Sequence, residues 1–383
     1  MSFRLIGNLE TLLGKYGDEY MFDDIFKGKK VLVTGNTGFK GSWLSQWLLQ
    51  LEANVIGISK DIPTKPSLFE LLDLESKISH FFCNLNDSSK LEEIIFDVKP
   101  DFIFHLAAQP IVSESFRNPI ETISSNTLGT ANLLNVISKV NWKCSAVIIT
   151  SDKCYENVEK EKGYKETDLL GGKDIYSSSK AAAEILISSF FRTFLKNKNK
   201  ITLAIGRAGN VIGGGDWAKD RLVVDSINSW KVQKPVYLRN PLSTRPWQHV
   251  LEPLSGYLHL AKIIYEKRDF NGEAFNFGPK NNDVRTVEDI ILGMSKYFDL
   301  KIPYKIINEK SFPEAGFLQL DISKANNLLN WSPVLSFDEM INFVSEWYFS
   351  FLENKKDISQ LTLNQIKTYE NLAKNKKLSW ANP

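Results

Sequence analysis

Residues 31–43 read Val-Leu-Val-Thr-Gly-Asn-Thr-Gly-Phe-Lys-Gly-Ser-Trp, and this stretch is the strongest indication of the fold. Its first four residues form a short, largely β-branched run that is typical of a buried strand. Gly35, Gly38 and Gly41 follow at the spacing G-x-x-G-x-x-G, and apolar residues at helical spacing come next. Such glycines allow a tight turn, a close approach of backbone to a pyrophosphate and close helix packing, while a helix N-terminus favours phosphate. The stretch therefore predicts a dinucleotide-binding loop.

Further apolar runs predict more strands of the same kind. They lie at residues 54–59, 101–106, 145–150 and 201–205, with helical stretches between them. Residues 247–265 and 273–278 are expected to return to this first layer. Strands that alternate with helices indicate βαβ units and a parallel sheet. Right-handed crossovers make such a sheet doubly wound. We therefore expect a Rossmann-like α/β fold.

The composition changes after about residue 206, where glycines and prolines punctuate a loop-rich segment. We predict a smaller, mixed C-terminal region for binding the substrate, and a polar tail that forms a peripheral helix and a frayed end. The predicted parts are an N-terminal extension (residues 1–27), a dinucleotide-binding Rossmann domain (28–206 plus about 246–280), a substrate domain (about 207–245 plus 281–353) and the tail (354–383).

The overall composition excludes several classes of protein. The chain has 383 residues, 43% of them hydrophobic and 24% charged, with a net charge of +2. These values argue against disorder and give no electrostatic reason for a nucleic-acid or membrane partner. Three cysteines cannot make a dense disulfide framework, which favours a reducing compartment. Without a secretory signal or an apolar run of roughly 18 residues, the expected location is the cytoplasm.

The glycine loop is expected to share its ligand with residues at the ends of neighbouring strands. Asp61 follows the second strand and suits the ribose hydroxyls, whereas the adjacent Lys60 would favour a 2′-phosphate, so NAD and NADP both remain open. Asn84 and Leu85 are placed to meet the adenine. The residues predicted to bind the cofactor are Gly35, Thr37, Gly38, Phe39, Lys40, Gly41, Ser59, Asp61, Asn84, Leu85, Leu106, Ala107, Ala108, Gln109, Asn126, Tyr176 and Lys180.

A catalytic cluster is predicted at the end of the fifth strand. Tyr176 and Lys180 stand one helical turn apart on one face, and the ammonium is expected to lower the pKa of the phenol, which could then act as a base. In a chain of this composition, about one tyrosine is expected by chance to be followed by a basic residue four positions later. The fifth strand, however, ends in Ser151, Asp152 and Lys153, at the edge where open α/β sheets carry out chemistry.

Five longer motifs point to a family. They are VTGNTGFKGSW (33–43), PTKPSLF (63–69), SDKCYEN (151–157), GRAGNVIGGGDW (206–217) and TRPWQHVLEP (244–253). With them, the chain resembles the extended short-chain dehydrogenase/reductases over about residues 27–350, and within that group the sugar-nucleotide 4,6-dehydratases that act on CDP-glucose. The resemblance implies an NAD-dependent lyase of deoxysugar biosynthesis. It also implies a homodimer or tetramer, with residues 115–139 and 176–196 as the pairing helices.

The resemblance further implies a reaction without net redox change: transient oxidation at carbon 4 of the glucose, loss of water across carbons 5 and 6, and hydride return to carbon 6. Tyr176 would be the base with Lys180 beside it, Ser151 would bind O4, and Asp152 would protonate the departing hydroxyl. Lys153 stands where related dehydratases have Glu. It would either remove the proton from carbon 5 or stabilise the enolate by its charge.

A diphosphate in the substrate predicts nearby arginines. Arg221 and Arg245 are the predicted phosphate ligands, Arg207 is either a further ligand or a structural bridge, and Asn210 is expected to contact the diphosphate or the sugar. No metal site is predicted because the four histidines lack ligand spacing, and His105 is expected to be a hydrogen-bonded core residue.

Three other functions remain open at this point. A sugar-nucleotide 4-epimerase would share Tyr176 and Lys180 but would not need Asp152 and Lys153. A regulatory module that binds the cofactor but catalyses no reaction could dispense with Tyr176 and Lys180. A dehydratase for another sugar nucleotide, such as GDP-mannose, is the third, although the long motifs favour CDP-glucose.

Overall fold

A computed structural model describes residues 21–160, 162–280, 283–298, 300, 302–307 and 317–381. The strands in this part of the chain are β1 (Lys30–Thr34), β2 (Asn54–Ser59), β3 (Ser79–Phe82), β4 (Phe102–His105), β5 (Cys144–Ile149), β6 (Ile201–Ala208), β7 (Val211–Ile212), β8 (Val236–Leu238), β9 (Thr244–Arg245), β10 (Gln248–His249), β11 (Ala274–Phe277), β12 (Arg285–Thr286) and β13 (Tyr304–Ile306). Seven of these described strands form one sheet in the order β11-β6-β5-β4-β1-β2-β3. Every pairing in that sheet is parallel. The strand order reverses between β1 and β4, which is where open α/β sheets bind ligands.

Helices cover both faces of the sheet. They are α1 (Phe39–Gln50), α2 (Leu68–Leu71), α3 (Ser88–Val98), α4 (Val112–Arg117), α5 (Pro119–Ile123), α6 (Gly129–Lys139), α7 (Ile175–Phe190), α8 (Leu222–Trp230), α9 (Leu251–Glu266), α10 (Val287–Ser295), α11 (Ser323–Leu329), α12 (Phe337–Leu352) and α13 (Ile358–Asn375). Alternate residues of a strand point to opposite faces. Val31 and Val33 accordingly enter one hydrophobic core, and Leu32 enters the other. The predicted doubly wound Rossmann-like fold is confirmed.

The predicted strands agree closely with those observed. The run at residues 54–59 is β2 itself, and the other three runs correspond to β4, β5 and β6. Residues 273–278 contain β11 and return to the same sheet, as expected. No range was predicted for β3, a four-residue edge strand whose side chains are all at least partly exposed. Its sequence, Ser-His-Phe-Phe, has no alternation that would distinguish it from a loop.

Smaller pieces of sheet follow β6, where the sequence predicts a mixed region. The pairs are β7 with β10 and β8 with β13, both parallel, and β9 with β12, which is antiparallel. The division of the chain into cofactor and substrate domains stays a prediction. None of the described helices combines the length and apolar character needed to cross a membrane.

The predicted frayed C-terminal end is wrong. Trp380 is fully buried, and its ring stacks on Phe22 at 5.1 Å and on Tyr369 at 5.8 Å. Trp47 of α1 donates a hydrogen bond to Glu370 of α13. The tail has a low apolar content because many of its polar residues lie on the outer face of α13, while its apolar residues fall at helical spacing on the inner face.

The N-terminal boundary also differs from the prediction. Residues 1–20 lie outside the described part of the chain, but Met21, Phe22 and Phe26 belong to the core. Phe22 and Phe26 are buried, and the Phe26 ring lies 4.9 Å from that of Phe102 on β4. The segment just before β1 therefore closes one face of the sheet.

We predict that Trp380→Ala destabilises the protein by about 3–5 kcal/mol, because removing a fully buried indole leaves a cavity. Urea-induced unfolding would measure the change. Lys367→Ala, at an exposed position of α13, is the control and should change stability by less than about 0.5 kcal/mol. Equal midpoints for the wild type and Trp380→Ala would contradict the assignment of the C-terminal segment to the core.

Candidate active site

The glycine loop joins β1 to α1, and two of its glycine positions leave no room for a side chain. Gly35 has φ +76°, and a Cβ there would lie 2.8 Å from the backbone of Ala107. A Cβ on Gly41 would lie 2.0 Å from the carbonyl oxygen of Gly35. Gly38 is the N-cap of α1 and has no side chain with which to cap the helix. Because α1 begins at Phe39, its first-turn N–H groups have no partner within the helix and suit a phosphate group.

The end of β2 supports this loop. Ser59 donates a hydrogen bond to the buried side chain of Asn36 and accepts one from the backbone N–H of Thr37. The Thr37 hydroxyl donates to the carbonyl of Asp61 at 2.7 Å. Ser59, Thr37 and Asp61 thus meet at the loop, as the sequence predicts.

The two residues that left the choice of cofactor open have different surroundings. Asp61 is exposed at the end of β2. Lys60 forms an ion pair with Glu121 at 3.0 Å, so its ammonium is engaged by a carboxylate of the chain. This arrangement favours a ribose with free hydroxyls over a 2′-phosphate.

The loops after β3 and β4 complete the edge of the site. Asn84 accepts the backbone N–H of Asn86 and shapes its own turn. Gln109 is held by Asn126, which accepts the Gln109 backbone N–H at 2.8 Å and donates to Ser179 of α7. These contacts give several of the predicted cofactor residues a structural role. The other predicted residues of these loops are Leu85, which is buried, and Leu106, Ala107 and Ala108, which are half-buried at the carboxyl end of β4.

Asp152 is a nearly buried carboxyl group at the end of β5. Ser151 donates a hydrogen bond to its Oδ1 at 2.9 Å, and no partner is present for its buried Oδ2 among the described residues. Burial raises the pKa of Asp152, although the charges of Lys153, Arg245 and Lys40 and the bond from Ser151 oppose the shift. A carboxyl group in these surroundings retains a proton more readily than an exposed one, which is what a general acid requires.

Tyr176 and Lys180 lie together on α7, both buried. Burial raises the pKa of Tyr176 to about 12, against the opposing hydrogen bond with Ser151. This differs from the expectation that the neighbouring ammonium leaves the phenol with a near-neutral pKa, because desolvation outweighs the favourable charges. Burial lowers the pKa of Lys180 to about 8. A further positive charge, brought by a ligand, would lower the pKa of the phenol.

Lys40 extends from the glycine loop toward the same cluster. Its Nζ donates to the hydroxyl of the buried Tyr257 at 3.4 Å. Burial lowers the pKa of Lys40 to about 7, and the charges of Arg221 and Lys180 lower it further, while Asp152 opposes them. The sequence prediction treated this residue only as part of the phosphate loop. A charged residue at the start of an otherwise uncharged helix was the available signal.

Two of the predicted arginines act electrostatically on the predicted catalytic groups. Arg221 stabilises the ionised form of Tyr176, and Arg245 that of Asp152. Arg221 also lies 3.4 Å from Asp216. Asn210 is half-buried after β6, and its carbonyl accepts the backbone N–H of Gln248.

Arg207 is bound by other residues of the protein. Its guanidinium makes two 2.7 Å bonds to the carboxylate of Glu184 and donates to the Tyr155 hydroxyl and the Glu166 carbonyl. Both members of the ion pair are buried. The structural-bridge interpretation is therefore the one that this geometry supports. Glu184 was missed in the sequence, although it follows Lys180 by four residues on the same helical face.

His105 is a core residue, as predicted. Its Nδ1 lies 2.7 Å from the Thr34 hydroxyl and its Nε2 lies 3.0 Å from the Thr130 hydroxyl. Burial lowers its pKa to about 3. The ring links β4 to β1 and α6 and stays neutral at ordinary pH.

The sequence is similar to those of known sugar-nucleotide dehydratases and epimerases. Residues 32–344 match the family described as GDP-mannose 4,6 dehydratase. A CDP-glucose 4,6-dehydratase of Salmonella typhimurium is 44% identical over 336 residues, which are 87% of this chain and 94% of that protein. A CDP-paratose 2-epimerase of Salmonella typhi is 24% identical over 83% of this chain and 98% of its own length.

Solved structures share the fold. The UDP-glucuronic acid 4-epimerase of Bacillus cereus, in complex with UDP-glucuronic acid and NAD, matches with a TM-score of 0.72 and 25% identity, over 84% of this chain and 99% of that one. A dTDP-glucose 4,6-dehydratase of Bacillus anthracis in complex with NAD matches with a TM-score of 0.70 and 19% identity, over 87% of this chain and 100% of that one. With the glycine loop, the Tyr176/Lys180 pair and the match over residues 32–344, the chain belongs to the GDP-mannose 4,6-dehydratase family of extended short-chain dehydrogenase/reductases.

Proposed function

We propose that the protein converts CDP-glucose to CDP-4-keto-6-deoxy-glucose by 4,6-dehydration. The buried Asp152, with one oxygen bonded to Ser151 and the other without a partner in the described chain, carries the proposal. An epimerase that only oxidises and reduces carbon 4 has no use for an acid at this place, whereas a dehydratase must protonate a leaving hydroxyl. The 44% identity to a CDP-glucose 4,6-dehydratase supports the choice of nucleotide and sugar.

The cofactor is NAD, and the glycine loop suits it. Phe39, Lys40 and Gly41 offer first-turn N–H groups, and the space beside Gly41 is too small even for a Cβ. The exposed Asp61 is suited to the ribose hydroxyls. When bound, the cofactor supplies a hydride acceptor and then a hydride donor.

Side chains of the protein would transfer the protons in this reaction. Tyr176 and Ser151 hold the hydroxyl on carbon 4, and the Tyr176 phenolate takes its proton while the Lys180 ammonium stabilises that phenolate. The resulting ketone makes the proton on carbon 5 acidic. Asp152 gives its proton to the hydroxyl on carbon 6, which leaves as water.

Lys153 is proposed to act at carbon 5. It is half-buried in the turn that follows Ser151, with its backbone N–H bonded to the Ser151 hydroxyl at 3.2 Å. Its amine would take the proton from carbon 5, or its ammonium would stabilise the enolate formed there. Arg221 and Arg245 would bind the diphosphate, since both already lie near the catalytic charges.

Mass spectrometry of the reaction in deuterated water tests the function. Purified protein supplied with CDP-glucose should give a product that has lost one water and gained one solvent deuterium at carbon 5. A mass-neutral isomer would instead indicate an epimerase. Unchanged CDP-glucose, with turnover of another sugar nucleotide, would contradict the choice of substrate.

We predict that Gly41→Ala weakens NAD binding by at least about tenfold, a loss of about 1.4 kcal/mol. The new methyl group would lie 2.0 Å from the Gly35 carbonyl oxygen, so the loop must open. Fluorescence titration would measure the dissociation constant. Gly278→Ala is the matched control, because its Cβ would make only ordinary 3.6 Å contacts. Equal affinities for the two variants would contradict the assigned phosphate loop.

A homodimer is proposed through one helical face. Apolar side chains project into solvent from α5, the following helical turn, and α7: Ile120 (75% exposed), Ile123 (41%), Leu128 (51%) and Ile185 (58%). Clustered apolar exposure of this kind is typical of an interface. A second copy that presents the same face would bury it by two-fold symmetry.

Ile120→Glu combined with Ile185→Glu should shift the protein from dimer to monomer, because burying two carboxylates in an apolar interface is costly. Light scattering after gel filtration would measure the mass. Leu242→Glu, at an equally exposed position outside these helices, is the control. A wild type that is monomeric, or a double variant that stays dimeric, would contradict this face as the interface.

A further inference from the structure

A buried ion pair joins the separate segments that carry the catalytic groups. Glu184 of α7 and Arg207 of β6 make a two-bond contact, and their side chains are 1% and 4% exposed. Neither residue is among those that handle protons in the proposed mechanism. Breaking such a pair would leave a buried charge uncompensated, so its geometry is tightly constrained.

One carboxylate oxygen of Glu184 binds the residue that immediately precedes the Ser151–Lys153 turn. Thr150 precedes Ser151, and its hydroxyl donates to Oε1 of Glu184. The backbone N–H of Thr150 is bonded to the Gly206 carbonyl, next to Arg207. The strand end is thereby held by its backbone and by its side chain.

The guanidinium of Arg207 binds a residue that follows the same turn. Arg207 Nη1 donates to the hydroxyl of Tyr155 at 2.7 Å, and that hydroxyl donates to Asn276 Oδ1 at 2.7 Å. The guanidinium also lies over the Tyr155 ring, 4.9 Å from its centroid. Three catalytic residues therefore lie between two anchor points on one ion pair.

The same pair is part of the catalytic helix. Glu184 follows Lys180 by four residues and Tyr176 by eight, so all three lie along one face of α7. The carboxylate also helps to keep Lys180 charged, since it opposes the lowering of the Lys180 pKa by burial. Any displacement of the pair would change the distance between the turn and the helix.

We propose that Glu184 and Arg207 are positioning residues that set the Asp152–Lys153 turn against the Tyr176–Lys180 helix, through the hydroxyls of Thr150 and Tyr155. This inference rests on the proposed dehydration, whose two halves use the two segments. The helix serves the oxidation at carbon 4, and the turn serves the loss of water. A loosened turn would slow the second half more than the first, and reduced cofactor would accumulate.

Thr150→Val and Tyr155→Phe test the proposal, because each removes one linking hydroxyl and leaves the ion pair in place. Thr202→Val and Tyr369→Phe are matched controls: both hydroxyls are buried and hydrogen-bonded, but Thr202 pairs with Ser145 and Tyr369 with Glu252. The test variants should lose about ten- to a hundredfold in kcat with little change in KM, as small misplacements of catalytic groups do. The near-ultraviolet absorbance of reduced nicotinamide during turnover should rise. The controls should match the wild type.

Hydrogen–deuterium exchange of residues 150–156, without substrate, gives a second and independent result. It should be faster in the test variants than in the controls. Equal exchange and equal kcat in all four variants would overturn the proposal, as would a fall in kcat without accumulation of reduced cofactor. If the wild type leaves CDP-glucose unchanged, the proposed function fails, while the exchange result still decides whether the hydroxyls hold the turn.

Discussion

Burial of the Asp152 carboxyl group is the constraint on which the rest of the site depends. Removing a carboxylate from water is costly unless hydrogen bonds and opposite charges replace the water. Here Ser151 supplies one hydrogen bond, and lysine and arginine side chains supply positive charge without contacting Oδ2. The balance leaves the pKa of Asp152 above that of a free carboxyl group, so the group retains a proton more readily. An acid of this kind can give up its proton when a leaving hydroxyl needs it.

The fold brings the partners of this group together at one edge. Parallel strands end on the same side of a sheet, so the glycine loop after β1, the small residues after β4 and the Ser151 turn after β5 all face one crevice. The crossover to α7 then adds Tyr176 and Lys180. The site is also dense in cations, and burial shifts the pKa values of Lys40 and Lys180 to about 7 and about 8. A diphosphate ligand would relieve the mutual repulsion of these charges.

Local patterns were sufficient to predict much of this arrangement. Strand runs, glycine spacing and the four-residue separation of Tyr176 and Lys180 depend on nearby residues only, and the structure reproduces each. Quantities that depend on distant residues could not be predicted. The pKa of Tyr176 depends on how completely the surrounding loops exclude water, and the partner of Arg207 lies 23 residues away on another element. The C-terminal helix was misjudged because its average polarity concealed a buried face.

In the proposed mechanism, Asp152 protonates the leaving hydroxyl after carbon 4 has been oxidised. The most direct test is a rapid-quench analysis of Asp152→Asn with CDP-glucose. The amide keeps the shape of the side chain but has no acidic proton to give. A 4-keto sugar nucleotide with its carbon 6 hydroxyl intact should accumulate together with reduced cofactor. Loss of water at the wild-type rate in this variant would show that Asp152 is not the acid.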